Sequence, residues 1–268
     1  MLKNITLGQY FPGNSIIHRL DPRTKLILTL VYIVVLFMCT NPSGYVICLI
    51  VLCACIAVSQ IKPKLILRGM KPLIIVIIIT GLLNVFYTRG GTVLASFWVL
   101  TITVEGIRNA IFMTLRILML VSGTFLMTYT TSPLALTDAM ESLMNPLKKI
   151  KMPVHELSMM MSIALRFIPT LIEETDKIMS AQKARGADFD SGNILQKAKA
   201  LLPLLIPLFI SAFRRADELA VAMEARGYHG GEGRTKMKQL RYTASDAAAF
   251  VSGAAFTAAV IATRFLPV

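Results

Sequence analysis

The residues best placed to do chemistry are two arginines set in identical tripeptides, Ala184-Arg185-Gly186 and Ala225-Arg226-Gly227. A guanidinium is permanently charged and presents a planar fork of N–H donors that fits carboxylates and carbonyls. The tripeptides close a longer repeat. Residues 176–186 and 217–227 align at a fixed offset of 41, with identical residues at Asp176/Asp217, Ala181/Ala222, Ala184/Ala225, Arg185/Arg226 and Gly186/Gly227. Each copy has the grammar of a helix and its end. Ala, Met, Gln, Lys and Glu favour helix, and a Gly just past the last turn closes it in a left-handed conformation. The Arg then stands beside unpaired carbonyls at the negative end of the helix dipole, where it contributes about 0.3–1 kcal/mol. One copy is a common helix end. Two copies, with a shared upstream Asp and small flanking Ala residues, suit a partner that presents two equivalent acidic grooves.

The other reactive side chains form no constellation. His18, His155 and His229 have no Cys or acidic cluster at ligand spacing, and Cys39, Cys48, Cys53 and Cys55 all fall in apolar stretches, away from any zinc-finger spacing. They read as small apolar residues. Gly230-Gly231-Glu232-Gly233-Arg234 lacks the spacing and the Lys-Ser/Thr of a phosphate loop and reads as a flexible loop. No catalytic residue, cofactor site or metal site is expected, so any nucleotide chemistry belongs to another chain. Glu105, Arg108 and Arg116 are candidates for polar contacts at membrane depth, where an ionisable group is costly. Arg108 is one turn from Glu105, which suggests a local ion pair. Arg116 is about 12 Å deeper and either snorkels or bonds to another helix or a partner subunit.

These residues need elements to hold them, and composition says which solvent those elements face. Of the 268 residues 55% are hydrophobic and only 16% charged, and mean hydropathy is +0.64, more than one soluble core accommodates. The net charge of +13 fits positive-inside topology and anionic lipid better than nucleic acid, for which no binding module is visible. Five stretches read as spanning helices: Pro22 to Cys39 after an Asp21 cap, Gly44 to Ser59, Pro72 to Tyr87, Ile107 to Tyr129, and Ser245 to Thr263. The second and third are short, which suggests tilt or local thinning. The first apolar run begins near Leu26 after a polar segment without a small-residue cleavage site, so no cleavable signal peptide is expected.

Loop charges alternate. Arg19, Arg23 and Lys25 precede the first span, the 41–43 loop is uncharged, and Lys62, Lys64, Arg68 and Lys71 fill the second loop. Arg89 is the one base in the third, and 16 bases with 12 acids lie between Ser132 and Thr243. The N-terminus is therefore expected in the cytoplasm and the C-terminus outside. The expected organisation is an all-α polytopic protein: a four-span membrane domain (1–131), a helical cytoplasmic domain carrying both Ala-Arg-Gly ends (132–243), and a final span (244–268). Helices are expected over Pro133–Met144, Val154–Ala184 and Leu204–Ala225, with Pro203 setting the start of the last. The apolar run 201–210 is too short to span and reads as an interfacial or packed helix start, with a re-entrant segment as the alternative.

In order along the chain, three features resemble the transmembrane (T) component of energy-coupling factor transporters. They are Ser15-Ile16-Ile17-His18-Arg19-Leu20-Asp21-Pro22-Arg23-Thr24-Lys25-Leu26, Ala164-Leu165-Arg166-Phe167-Ile168-Pro169, and the paired Ala-Arg-Gly ends. The resemblance covers nearly the whole length. It implies a non-enzymatic subunit in the cell membrane, whose partners are two ABC ATPase subunits and a small membrane-embedded S component that binds a vitamin or metal ion. ATP and magnesium would be bound by the ATPases, with Arg185 and Arg226 docking into their grooves. The permease of a conventional ABC importer is the first alternative, but it would dock through one loop per subunit. A secondary transporter would need intramembrane acids or broken helices at the midplane, and few are visible.

Overall fold

The computed structural model describes residues 10–88, 93–97, 100–187, 189, 193–230 and 239–264. The helices are α1 (Ile16–Arg19), α2 (Pro22–Met38), α3 (Pro42–Ser59), α4 (Pro63–Met70), α5 (Ile74–Tyr87), α6 (Val104–Thr130), α7 (Pro133–Met144), α8 (Val154–Ala184), α9 (Ile194–Ala225) and α10 (Ala244–Thr263). An antiparallel hairpin, β1 (Val93–Phe97) and β2 (Leu100–Thr103), precedes α6. Among the described residues the protein is all-α apart from this hairpin, which the sequence reading leaves as loop. The chain divides into two units, one of Gln9–Ala139 with Leu240–Val268 and the other of Met1–Gly8 with Met140–Gln239; the boundary falls inside α7.

In the first unit, hydrogen bonds at the helix ends fix the directions. Asp21 caps α2 by accepting from the Arg23 amide at 2.9 Å, and its own amide donates to Asp246 Oδ1 at 2.8 Å, in the first turn of α10. Beyond the other end of α2, Asn41 Nδ2 donates to the carbonyl of Thr263, the last residue of α10, at 2.9 Å. First and last long helices therefore run parallel, start with start and end with end. Lys25 Nζ donates to the Thr130 carbonyl at 2.9 Å, which places the end of α6 at the start of α2. Gly69 of α4 lies against Phe125 and Tyr129 near that same end of α6, while Gly106 at the start of α6 lies against the carbonyls of Asn84 and Val85 near the end of α5.

The stretches α2, α3, α4–α5, α6 and α10 thus traverse the unit in alternating directions. Pro42–Ser59, Pro63–Tyr87, Val104–Thr130 and Ala244–Thr263 are long and apolar enough to cross a membrane. The first of the five expected spans, α2, is shorter at 17 residues and carries Arg23 and Lys25 in its first turns. Its ends nevertheless meet both ends of the 20-residue α10, so it traverses the same thickness.

The core of this unit joins Val35 and Leu36 of α2, Tyr45, Cys48 and Leu52 of α3, Met119 of α6 and Val260 of α10. Small residues let the helices approach, as lipid-embedded helices require. A methyl on Gly253 would stand 2.6 Å from Leu28 Cδ2, and one on Gly123 would stand 2.8 Å from the Tyr32 ring. Cys39 and Cys48 are free thiols in this core, with sulfurs 3.6 Å apart; Cys53 is exposed.

In the second unit α8 and α9 pack on each other. Helix α9 begins at Ile194, ten residues before the Leu204 start expected from Pro203. A capping box between Asn193 and Gln196 nucleates it, and Pro203 and Pro207 are accommodated inside one continuous helix. The apolar run 201–210 lies within this helix: Leu204 is buried, and Ile206, Phe209 and Ile210 are exposed, at 59%, 63% and 66%.

Candidate functional site

The two Ala-Arg-Gly ends fold identically. Arg185 terminates α8 at φ −87°, and Gly186 follows at φ +88°; Arg226 terminates α9 at φ −91°, and Gly227 follows at φ +74°. The Gly186 amide donates to the Lys183 carbonyl and the Ala187 amide to the Gln182 carbonyl, both at 3.0 Å. At the second end the Gly227 amide donates to Glu224 (2.9 Å) and the Tyr228 amide to Met223 (3.0 Å). Both are Schellman motifs, which satisfy the last carbonyls of a helix and need a left-handed residue after the cap. A methyl on either glycine would meet nothing within 4 Å, so glycine serves the backbone angle here and not packing.

The closed ends leave the arginines free for a partner. Ala184, Arg185, Gly186, Ala225, Arg226 and Gly227 are all exposed, and neither guanidinium pairs with another described residue. The motif turns each chain away sharply, so the last helical turn and its Arg form a small blunt knob.

A feature that the sequence reading missed joins the two copies. Glu174 of α8 accepts from Ser211 Oγ through one carboxylate oxygen and from Arg215 through the other, the second bond at 2.7 Å. Ser211 and Arg215 are four apart on α9 and so share a face. Glu174 and Arg215 stand two residues before the two repeat copies, at the same offset of 41.

The other singled-out residues lie elsewhere. Arg116, half-buried in α6, donates to the Cys39 carbonyl at 3.0 Å and to the Tyr45 hydroxyl, and lies over the Phe37 and Tyr45 rings. It therefore bonds to other helices rather than snorkelling, and caps a carbonyl at the end of α2 that lipid would leave bare. Arg116, Cys39 and Tyr45 line a cavity of about 350 Å³ with Thr40, Asn84 and Asn109. Glu105 and Arg108 are exposed near the start of α6; no ion pair joins them among the described residues, and Arg108 instead lies 5.7 Å from the Phe112 ring. Phe112, like Glu105, is one turn from Arg108.

The N-terminal motif is a tether. Arg23 pairs with Asp21 at 3.1 Å and stacks 4.2 Å over the Tyr242 ring, Asp246 accepts from Thr243, and Lys25 donates to the His18 carbonyl. His18 contacts Ser15 and the Phe11 carbonyl, and partial burial lowers its pKa. His155 pairs with Glu141 at 3.3 Å. Among the described residues no group of His, Cys, Asp and Glu could hold a metal ion. The glycine-rich segment lies outside the described residues from Gly231 onward.

Residues 13–237 match a family described as cobalt transport protein, CbiQ. Relatives named energy-coupling factor transporter transmembrane protein EcfT are similar over nearly the full length. The one from Thermosediminibacter oceani is 54% identical over 265 residues, covering 99% of this chain and 100% of the relative. That of Acidaminococcus fermentans is 56% identical over 247 residues, 92% of each chain. That of Bacillus subtilis is 47% identical over 252 residues, 94% of this chain and 95% of the relative.

Proposed function

The chain belongs to this family of energy-coupling factor transporter transmembrane proteins and is a non-catalytic membrane component of a transporter, and we propose that it couples two partner ABC ATPases to a substrate-binding S component. The observation that carries this reading is the pair of exposed, Arg-bearing helix ends closed by the same turn, Arg185 and Arg226. Two identical knobs on one chain answer a dimeric partner with two equivalent grooves, and each ATPase would bind and hydrolyse its own magnesium-ATP. The exposed stripe Leu202, Ile206, Phe209 and Phe213, spaced to lie on one face of α9, supports a second, apolar partner of the kind a membrane-embedded S component offers. The cargo class is a vitamin or metal ion. The N-terminus and the second unit lie on the cytoplasmic side, with the C-terminus outside.

Two linked contacts on one scaffold give avidity, since docking of one end raises the effective concentration of the other. Truncating a desolvated charged contact costs about 2–5 kcal/mol. Arg185→Glu or Arg226→Glu alone therefore weakens ATPase capture without abolishing it, and the double variant releases the ATPases while membrane abundance is unchanged. Affinity capture of the ATPases and substrate uptake in cells read this out. Wild-type capture and uptake by the double variant would reduce both ends to helix caps and overturn the reading.

A further inference from the structure

The doubled helix ends are only useful if their separation is fixed, and the structure shows what fixes it. Arg185 stands 11 residues beyond Glu174, and Arg226 stands 11 residues beyond Arg215. At 1.5 Å per helical residue each arm is about 16 Å long. Neither arm contains Pro or Gly, and both stay helical to the Schellman turn, so each is a stiff rod. The prolines of both helices, Pro169, Pro203 and Pro207, all lie on the far side of the bridge.

Because Glu174 and Arg215 each stand 11 residues before their Arg, the two helices meet there at the same distance from their ends. Two helices that touch at equivalent residues carry their ends equally far from the crossing, and a slip by one turn on either helix would lengthen one arm by about 5.4 Å relative to the other. The bridge opposes that slip. One carboxylate has both oxygens engaged, by a hydroxyl and a guanidinium placed one turn apart on α9, so moving α9 by a turn forfeits at least one bond.

We infer that Glu174, together with Ser211 and Arg215, is a positioning device that holds the two Arg-bearing arms at equal reach, so that both grooves of a two-fold-related ATPase pair are engaged at once. This rests on the coupling role proposed above. The bridge touches no substrate and acts only through Arg185 and Arg226. Its loss is expected to uncouple rather than dissociate, because each knob stays intact and can still dock singly.

The test uses the full chain with its ATPases and S component. Spin labels are placed at Ser180 and Val221, exposed positions 41 apart, after replacing the four native cysteines, and their separation is measured by pulsed electron resonance. Wild type gives one narrow distance. Glu174→Gln, which keeps shape and removes charge, broadens it, as does Ser211→Ala to a smaller degree. The exchange Glu174→Arg with Arg215→Glu restores a narrow distribution. In the same preparations Glu174→Gln retains ATPase capture but loses about fivefold in uptake per ATP hydrolysed, the factor equal to about 1 kcal/mol for a partly exposed charged bridge, and the exchange recovers it. An unchanged distance in Glu174→Gln, or an exchange that restores neither distance nor coupling, overturns the inference. If Glu174→Gln does not accumulate, the exchange and Ser211→Ala carry the same comparison. Undisturbed capture by the Arg185→Glu, Arg226→Glu double variant would instead strike at the coupling reading and leave the distance result standing.

Discussion

At the scale of single residues, glycine and arginine divide the work at each helix end. Gly186 and Gly227 adopt left-handed angles in open space, so an Ala there meets no clash but costs roughly 1–2 kcal/mol in backbone energy. Gly186→Ala and Gly227→Ala are expected to speed hydrogen exchange of the Ala187 and Tyr228 amides respectively, and Asn at either position to do so less. Equal protection in all variants would show that the turn does not depend on glycine. Arg116 is a different kind of residue, serving the membrane unit. Arg116→Met removes a charged donor to the Cys39 carbonyl and the Tyr45 hydroxyl, and a loss of about 1.5–3 kcal/mol in detergent unfolding is expected. Arg116→Lys is expected to recover part of the loss, because one nitrogen, Nη2, makes both bonds and an ammonium also donates from a single nitrogen. That Arg116 either snorkels or finds a partner was legible as a base inside an apolar stretch. The identity of the partner was not, because it is a carbonyl and a phenol 71–77 residues away, and neither carries a local pattern. Arg108 shows the converse: Glu105 and Phe112 are both one turn from it, and spacing alone did not choose between them.

Among elements, the long helices were legible to within three residues at the starts of α3, α6 and α10, because apolar length marks them. The start of α9 was not, because Pro203 carries a breaker signal that the Asn193 capping box outweighs by nucleating the helix upstream. Asn193→Ala is expected to cost about 1 kcal/mol and to fray the first turns of α9, seen as faster exchange there with α8 unaffected. Fraying that reaches Leu204 would mean that the cap, rather than interior packing, sustains the segment between the cap and the prolines. In the membrane unit the corresponding test is steric. Gly253→Val forces α10 off Leu28 of α2, and overpacking of this kind costs about 1–3 kcal/mol, read as a lower unfolding temperature in detergent.

For the molecule as a whole, the parallel pairing of α2 and α10 bears on topology. Two helices that start at the same end, joined through alternating passes, require an odd number of crossings. Single cysteines at Ser43, Lys64, Gly90 and Gly233, in a background lacking the four native ones, test the orientation read from loop charge. Positions 43 and 90 are expected to react with an impermeant reagent in intact cells, and positions 64 and 233 are not. Labelling of 233 from outside would sink the orientation and the coupling role together. The same pairing also sets an order of events during biosynthesis. The Asp21 amide and its acceptor Asp246 are 225 residues apart, so α2 is completed by a helix made 225 residues later. At about 5–20 residues per second of translation, α2 waits about 10–45 s in the bilayer with its capping partner unmade and one flank against lipid. A ribosome that stops before Thr243 therefore does its damage at the opposite terminus.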